Sequence, residues 1–318
     1  MNSNMYVSAS PHLRSGISTT SIMRDVVIAL LPSVVAGSII FGVRALLIVA
    51  LTVASCVVSE YISRKVMKRN NTIGDLSAVV TGVLLGLNYP VGINPVMAVF
   101  GGVVAIVVVK QMFGGIGQNF VNPALAARII LLVSFPTDMT TWASPFYYTQ
   151  GAVDAVTSAT PLAQNAAGTF SGSYLDLFLG NVGGCIGETC ALAILVGGIY
   201  LIARKVISPI IPVTYIATVF VLAFVMGQDP LFHVLSGGVM LGAFFMATDY
   251  TTSPITSKGK VIFAMGCGLM TMLIRVYANL PEGVSFSIVL MNILVPHIEN
   301  LTRPKAFGEI KKKIKGDK

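Results

Sequence analysis

Long apolar runs separated by short polar breaks organise this chain. The first opens after Arg24 and Asp25 and extends to about Phe41; "FGVR" makes a tight turn, and a second runs from Ala45 to about Ile62. After the basic loop "SRKVMKRNN" come "LSAVVTGVLLGLNYP", "NPVMAVFGGVVAIVVVK" and "GGIGQNFVNPALAARIILLVSF". A polar linker follows from Pro136 to about Ser173. Beyond it lie the short "YLDLFLGNVGGCIG", then "TCALAILVGGIYLIA" and runs at about Ile210–Met226, Val234–Met246, Val261–Tyr277 and Phe286–Leu294. Lipid-exposed runs must be helical, because the bilayer core offers no partner for free backbone groups. The pattern predicts an all-α polytopic membrane protein of about ten crossings. Breaks at Gly, Asn and Pro predict interrupted or re-entrant segments, tolerable only inside the protein or beside a cavity.

Composition supports lipid as the solvent. Of 318 residues, 54% are hydrophobic and 11% charged, against about 25% charged in a soluble domain. Mean hydropathy is +0.81. The first residues lack the basic start, short apolar run and cleavage site of a signal peptide. Cys56, Cys185, Cys190 and Cys267 follow no metal-binding spacing and read as small buried hydrophobes.

Charge sets the expected orientation. The net charge of +8 suggests nucleic acid only until its distribution is considered: basic residues cluster between apolar runs, as topogenic signals do. With a cytoplasmic N-terminus and about ten crossings, only Arg44, Arg128 and Arg275 of the 21 basic residues fall elsewhere than the cytoplasmic side. No Lys or Arg lies between Arg128 and Arg204, which puts the linker outside. The expected organisation is a cytoplasmic segment (1–21), a first membrane half (22–135), an extracytoplasmic linker (136–173), a second half (174–302) and a basic cytoplasmic tail (303–318). Five spans before and five after an external linker allow two inverted halves. A plain glycine-packed bundle would account for the glycines equally well.

Candidate chemistry concentrates in the linker and at the breaks. "DAVTSAT" holds Asp154, Thr157, Ser158, Ala159 and Thr160. A hydroxyl acts as a nucleophile only beside a base, and no His lies near in sequence. An ordinary polar turn before Pro161 and a site modified by another enzyme both fit. Arg128 sits in an apolar run, where a charge is costly and functional by default, or else a structural hydrogen-bond anchor. For a second cofactor or an ion route the candidates are Asn88, Asn94, Gln118, Asn119, Asn122, Asn181, Glu188 and Asp249. Glu188 and Asp249 are the acidic groups of interest; each could instead cap a helix end. Asp249 adjoins the hydroxyls of Tyr250, Thr251, Thr252 and Ser253, a set suited to a hard cation or a proton.

In order along the chain, "SPHLRSGISTTSIMRDVVIALLP", "GQNFVNPALAAR", "DAVTSATPL", "GNVGGCIGETCALAILVGGIYL" and "MATDYTTSP" resemble the RnfD branch of the RnfD/NqrB family, membrane subunits of ion-translocating electron-transport complexes. That resemblance implies FMN attached through its phosphate to the last Thr of the motif, here Thr160, by a separate flavin transferase. Ser158 stands where glycine is common. The resemblance further implies electron relay inside a ferredoxin:NAD oxidoreductase of the cytoplasmic membrane. It implies partnership with the other Rnf subunits, coupling to Na+ or H+, and room for a non-covalent riboflavin in the bundle. Arg128 and Asn122 are further cofactor-binding candidates, and no nucleic acid is expected. The competing classes are a stand-alone secondary transporter or channel of inverted-repeat type and a purely structural membrane subunit.

Overall fold

The computed structural model describes residues 18–150, 158–170, 172–278 and 283–304. Among them the regular structure is helical throughout. The helices are α1 (Thr19–Phe41), α2 (Val43–Val66), α3 (Ser77–Leu87), α4 (Pro95–Val103), α5 (Pro123–Ser134), α6 (Pro136–Met139) and α7 (Pro161–Ala166). Then follow α8 (Tyr174–Leu179), α9 (Ala191–Ala203), α10 (Ile210–Val225), α11 (Pro230–Leu235), α12 (Val239–Leu241), α13 (Ser257–Tyr277) and α14 (Val284–Thr302). Helices α1, α2, α13 and α14 are long and apolar enough to cross a membrane, and several shorter apolar helices accompany them. This is the architecture of a polytopic membrane protein.

Sequence boundaries shift where capping outweighs hydropathy. The second run begins at Val43, because Gly42 alone makes the turn at φ +78°. It ends at Val66, with Arg64 and Lys65 favourably placed against the helix C-terminus. The last run extends to Thr302 through Pro296. The run ending at Met246 is divided: α11 stops at Leu235, and α12 passes at Gly242 into a π-helical segment ending at Met246. Helix α4 likewise passes into a π-helical segment, Val104–Gln111. Such wide turns release carbonyls from the regular ladder and gather at functional sites.

Small residues let helices approach closely. Helix α3 rides on α2 so tightly that a Cβ at Gly82 would lie 2.7 Å from Val53 Cα, and one at Gly86 3.0 Å from Val49 Cα. One continuous apolar core joins these helices to α9–α14, with Tyr89, Tyr215 and Phe263 among its fully buried side chains.

The bundle has two chemically different ends. At one end the Thr20 hydroxyl donates to Gly74 O, Arg204 pairs with Asp25 at 3.3 Å, and Thr256 meets Thr302. The basic clusters Arg64–Arg69, Arg204–Lys205 and Lys258–Lys260 flank the helix ends there. At the other end Arg44 donates to Gly92 O, Phe146 N donates to Ile40 O and Tyr148 OH to Ile39 O. This second end carries the described residues of the 136–173 region.

Candidate functional site

Thr160 sits at the N-cap of α7, with extended backbone ahead of Pro161. Its Oγ1 accepts from Ala163 N at 3.2 Å, and the residue is buried. Two residues earlier, Ser158 N donates to Trp142 O at 2.9 Å, anchoring the stretch of chain that enters the helix. Ser158, Ala159 and Thr160 border a cavity of about 360 Å³ whose remaining wall includes Trp142, Leu132, Met139, Ser285 and Phe286. That volume is at the lower end of the roughly 300–1,000 Å³ of ligand pockets, and an apolar, aromatic wall with few polar groups is their usual lining. The wall suits a planar heteroaromatic ring, and Thr160 provides a hydroxyl oxygen at its edge. Asp154 and Thr157 lie outside the described residues.

Arg128 lies behind this cavity. It is 4% exposed, donating through Nη1 to Ser285 Oγ at 3.0 Å and Asn88 Oδ1 at 2.9 Å, and through Nη2 to Cys185 Sγ at 3.2 Å. The guanidinium ties together α3, α5, the 180–190 break and α14. It reaches the cavity wall through Ser285. Asn88 continues the chain of contacts to Met246 Sδ, while Asn122 caps α5 and donates to Met246 O at 3.4 Å. Chain breaks from both halves of the sequence therefore meet around one buried cation.

Asp249 lies past Met246, toward the basic end. It is half-buried and accepts from Thr251 Oγ1 at 3.1 Å and Thr252 Oγ1 at 3.2 Å. Burial raises its carboxyl above the ordinary range, and the hydrogen bonds from Thr251, Thr252 and Asn119 oppose that shift. It lines a cavity of about 110 Å³ together with Asn119, Asn122 and Lys110. Most of the remaining lining is aliphatic, and among the described residues Asp249 presents the one carboxyl group to that cavity. Glu188 belongs to the Thr160 end: Oε1 accepts from Cys185 N at 3.1 Å, and the residue is 4% exposed. The remaining polar candidates separate. Asn94 caps α4, Asn181 bonds Asp176, and Gln118 is exposed.

One buried ion pair has no counterpart in the sequence reading. Lys110 Nζ stands 2.9 Å from Glu60 Oε2, with side chains 4% and 0% exposed. Thr72 donates to the other Glu60 oxygen, and Lys110 also donates to Ser77. Hydropathy counts Lys110 as a topogenic charge. The available signal was two opposite charges, each inside an otherwise apolar run. Trp142 was also missed, because a lone aromatic in a loop carries no spacing.

The family model described as NQR2, RnfD, RnfE matches residues 6–308. A subunit of the Na+-translocating ferredoxin:NAD+ oxidoreductase complex of Acetobacterium woodii is 52% identical, over 98% of both chains. The equivalent subunit of the proton-translocating ferredoxin:NAD+ oxidoreductase complex of Clostridium ljungdahlii is 43% identical, over 95% of this chain and 96% of that one. That of the ion-translocating oxidoreductase complex of Stutzerimonas stutzeri is 40% identical, over 92% of each. With a match across nearly its whole length, the chain belongs to the NQR2, RnfD, RnfE family.

Proposed function

We propose that this chain is the flavin-bearing membrane subunit of an ion-translocating ferredoxin:NAD+ oxidoreductase, with FMN held as a phosphoester on Thr160 Oγ1. The observation that carries the reading is the position of Thr160 on the wall of the 360 Å³ cavity beside Trp142. Bound there, FMN would supply one-electron transfer, a chemistry absent from the amino-acid side chains alone. Thr160 Oγ1 forms the new P–O bond and loses its proton, and a separate flavin transferase moves the FMN group from an activated flavin dinucleotide, whose phosphoanhydride P–O bond breaks to release the nucleoside monophosphate. Trp142, Leu132 and Phe286 exclude water from the ring site, and Ser285 brings the Arg128 dipole and charge to the wall. The second cavity, at about 110 Å³, is well below the roughly 300 Å³ at which ligand pockets begin, so it does not fit a non-covalent riboflavin. Electrons would pass between other subunits through this one, coupled to Na+ or H+ movement, with Glu188 and Asp249 as the acidic groups of the ion path. Relatives named for Na+ and for protons are 52% and 43% identical to this chain, so ion choice is a matter of side-chain detail and not of fold.

The orientation belongs to the same proposal. With the basic end in the cytoplasm, both termini are cytoplasmic and the flavin linker is extracytoplasmic. Ten crossings then result, five on each side of the linker, with α3 and the α12 segment as the broken members of two inverted halves.

The test is co-expression with a flavin transferase, in-gel ultraviolet fluorescence of the denatured chain, and peptide mass spectrometry of residues 151–168. Wild type should carry FMN on Thr160; Thr160→Val, which removes the acceptor oxygen at nearly constant volume, should carry none. An adduct that persists in Thr160→Val would move the attachment to a neighbouring hydroxyl. An unmodified wild-type chain would overturn the proposal in favour of a stand-alone transporter.

A further inference from the structure

We propose that Glu188, Thr189 and Ser236 form a binding site for one small monovalent cation, directly behind Thr160. Three buried oxygens have no hydrogen-bond partner there: Glu188 Oε2, Thr189 Oγ1 and Ser236 Oγ. Their residues are 4%, 4% and 1% exposed. A buried hydroxyl or carboxylate oxygen left without a partner is costly, so three whose residues line one cavity point to a ligand there. All three residues line a single cavity of about 10 Å³, room for one water-sized particle.

The surrounding chain is drawn close around this spot. A Cβ at Gly238 would lie 3.2 Å from Glu188 Oε2, and one at Gly184 3.2 Å from Oε1. Both glycines belong to irregular segments, one between α8 and α9 and the other between α11 and α12. Irregular backbone of this kind frees carbonyls that coordinate ions inside transporters. Arg275 fixes the second segment, donating to the carbonyls of His233 and Ser236.

The donor chemistry selects the ligand. The lining offers only oxygen donors, which suits hard cations over zinc or copper. No Lys, Arg or His lines the cavity, and Glu188 brings one negative charge. A single water would answer the hydroxyls but add no positive charge inside the cavity; the neighbouring guanidiniums, Arg128 bonded to Cys185 Sγ and Arg275 bonded to Ser236 O, do not line it. A divalent ion would be left with excess positive charge, since no group of three or more metal-ligating side chains occurs among the described residues. One carboxylate, two hydroxyls and a small volume therefore match Na+. The physiological meaning of the site rests on the reading of Glu188 as part of the ion path; binding itself does not require the flavin.

The test measures 22Na+ binding to the purified whole complex in Na+-free choline buffer, for wild type, Glu188→Gln, Ser236→Ala and wild type produced without the flavin transferase. Wild type should bind one Na+ per chain that Glu188→Gln loses or binds at least tenfold more weakly, and Ser236→Ala should weaken the same site several-fold. Wild-type complex produced without the flavin transferase should bind normally while lacking flavin, so loss of FMN and loss of the cation are read separately. Should Glu188→Gln prevent assembly, Ser236→Ala decides. Unchanged Na+ stoichiometry and affinity in the assembled variants would overturn the site and leave a buried water in its place.

Discussion

Removing one partner of the Glu60–Lys110 pair should destabilise the protein more than removing both. The pair is 2.9 Å apart and almost wholly buried. At that distance Coulomb attraction is worth about 6 kcal/mol at an effective dielectric constant of about 20. Desolvation offsets much of this, so the intact pair contributes little net stability. A lone survivor is another matter. Glu60→Gln leaves the Lys110 ammonium with only neutral acceptors, Ser77 among them, and Lys110→Met leaves the Glu60 carboxylate with Thr72 alone. Either should cost about 3–5 kcal/mol, as for other buried pairs broken on one side. The double variant leaves no buried charge and should recover most of that loss. The assay is a double-mutant cycle on detergent-solubilised complex, with unfolding followed by a thiol-reactive dye that reports exposure of the buried Cys56 and Cys267. Additive losses, or single losses below about 1 kcal/mol, would mean that water reaches the pair and would refute the reasoning.

A further outcome follows from the other end of the bundle. Thr169 is exposed, so Thr169→Cys should react with an impermeant thiol reagent in intact cells; Cys190 is the native cysteine that needs a control, the other three being buried. Reaction only after permeabilisation would invert the proposed orientation.

The sequence by itself determined the class of solvent, the helical character and the family. Those properties are carried by local patterns: uninterrupted apolar runs, the clustering of Arg and Lys, and the ordered motifs around Asn122, Thr160, Glu188 and Asp249. It also marked Arg128 as costly, since one charge in an apolar run is visible without any fold. Only the tertiary structure decided what these residues face. Arg128 and Asn88 are 40 positions apart, and Arg128 and Ser285 are 157 apart, yet they share hydrogen bonds. Trp142 and Thr160 acquire a common cavity because Ser158 N is fixed to Trp142 O. Lys110 looked like a charge at a membrane face until packing set it against Glu60. Hydropathy records how much a side chain costs to bury. Which partner offsets that cost depends on contacts between distant segments, and those exist only once the breaks have folded against one another.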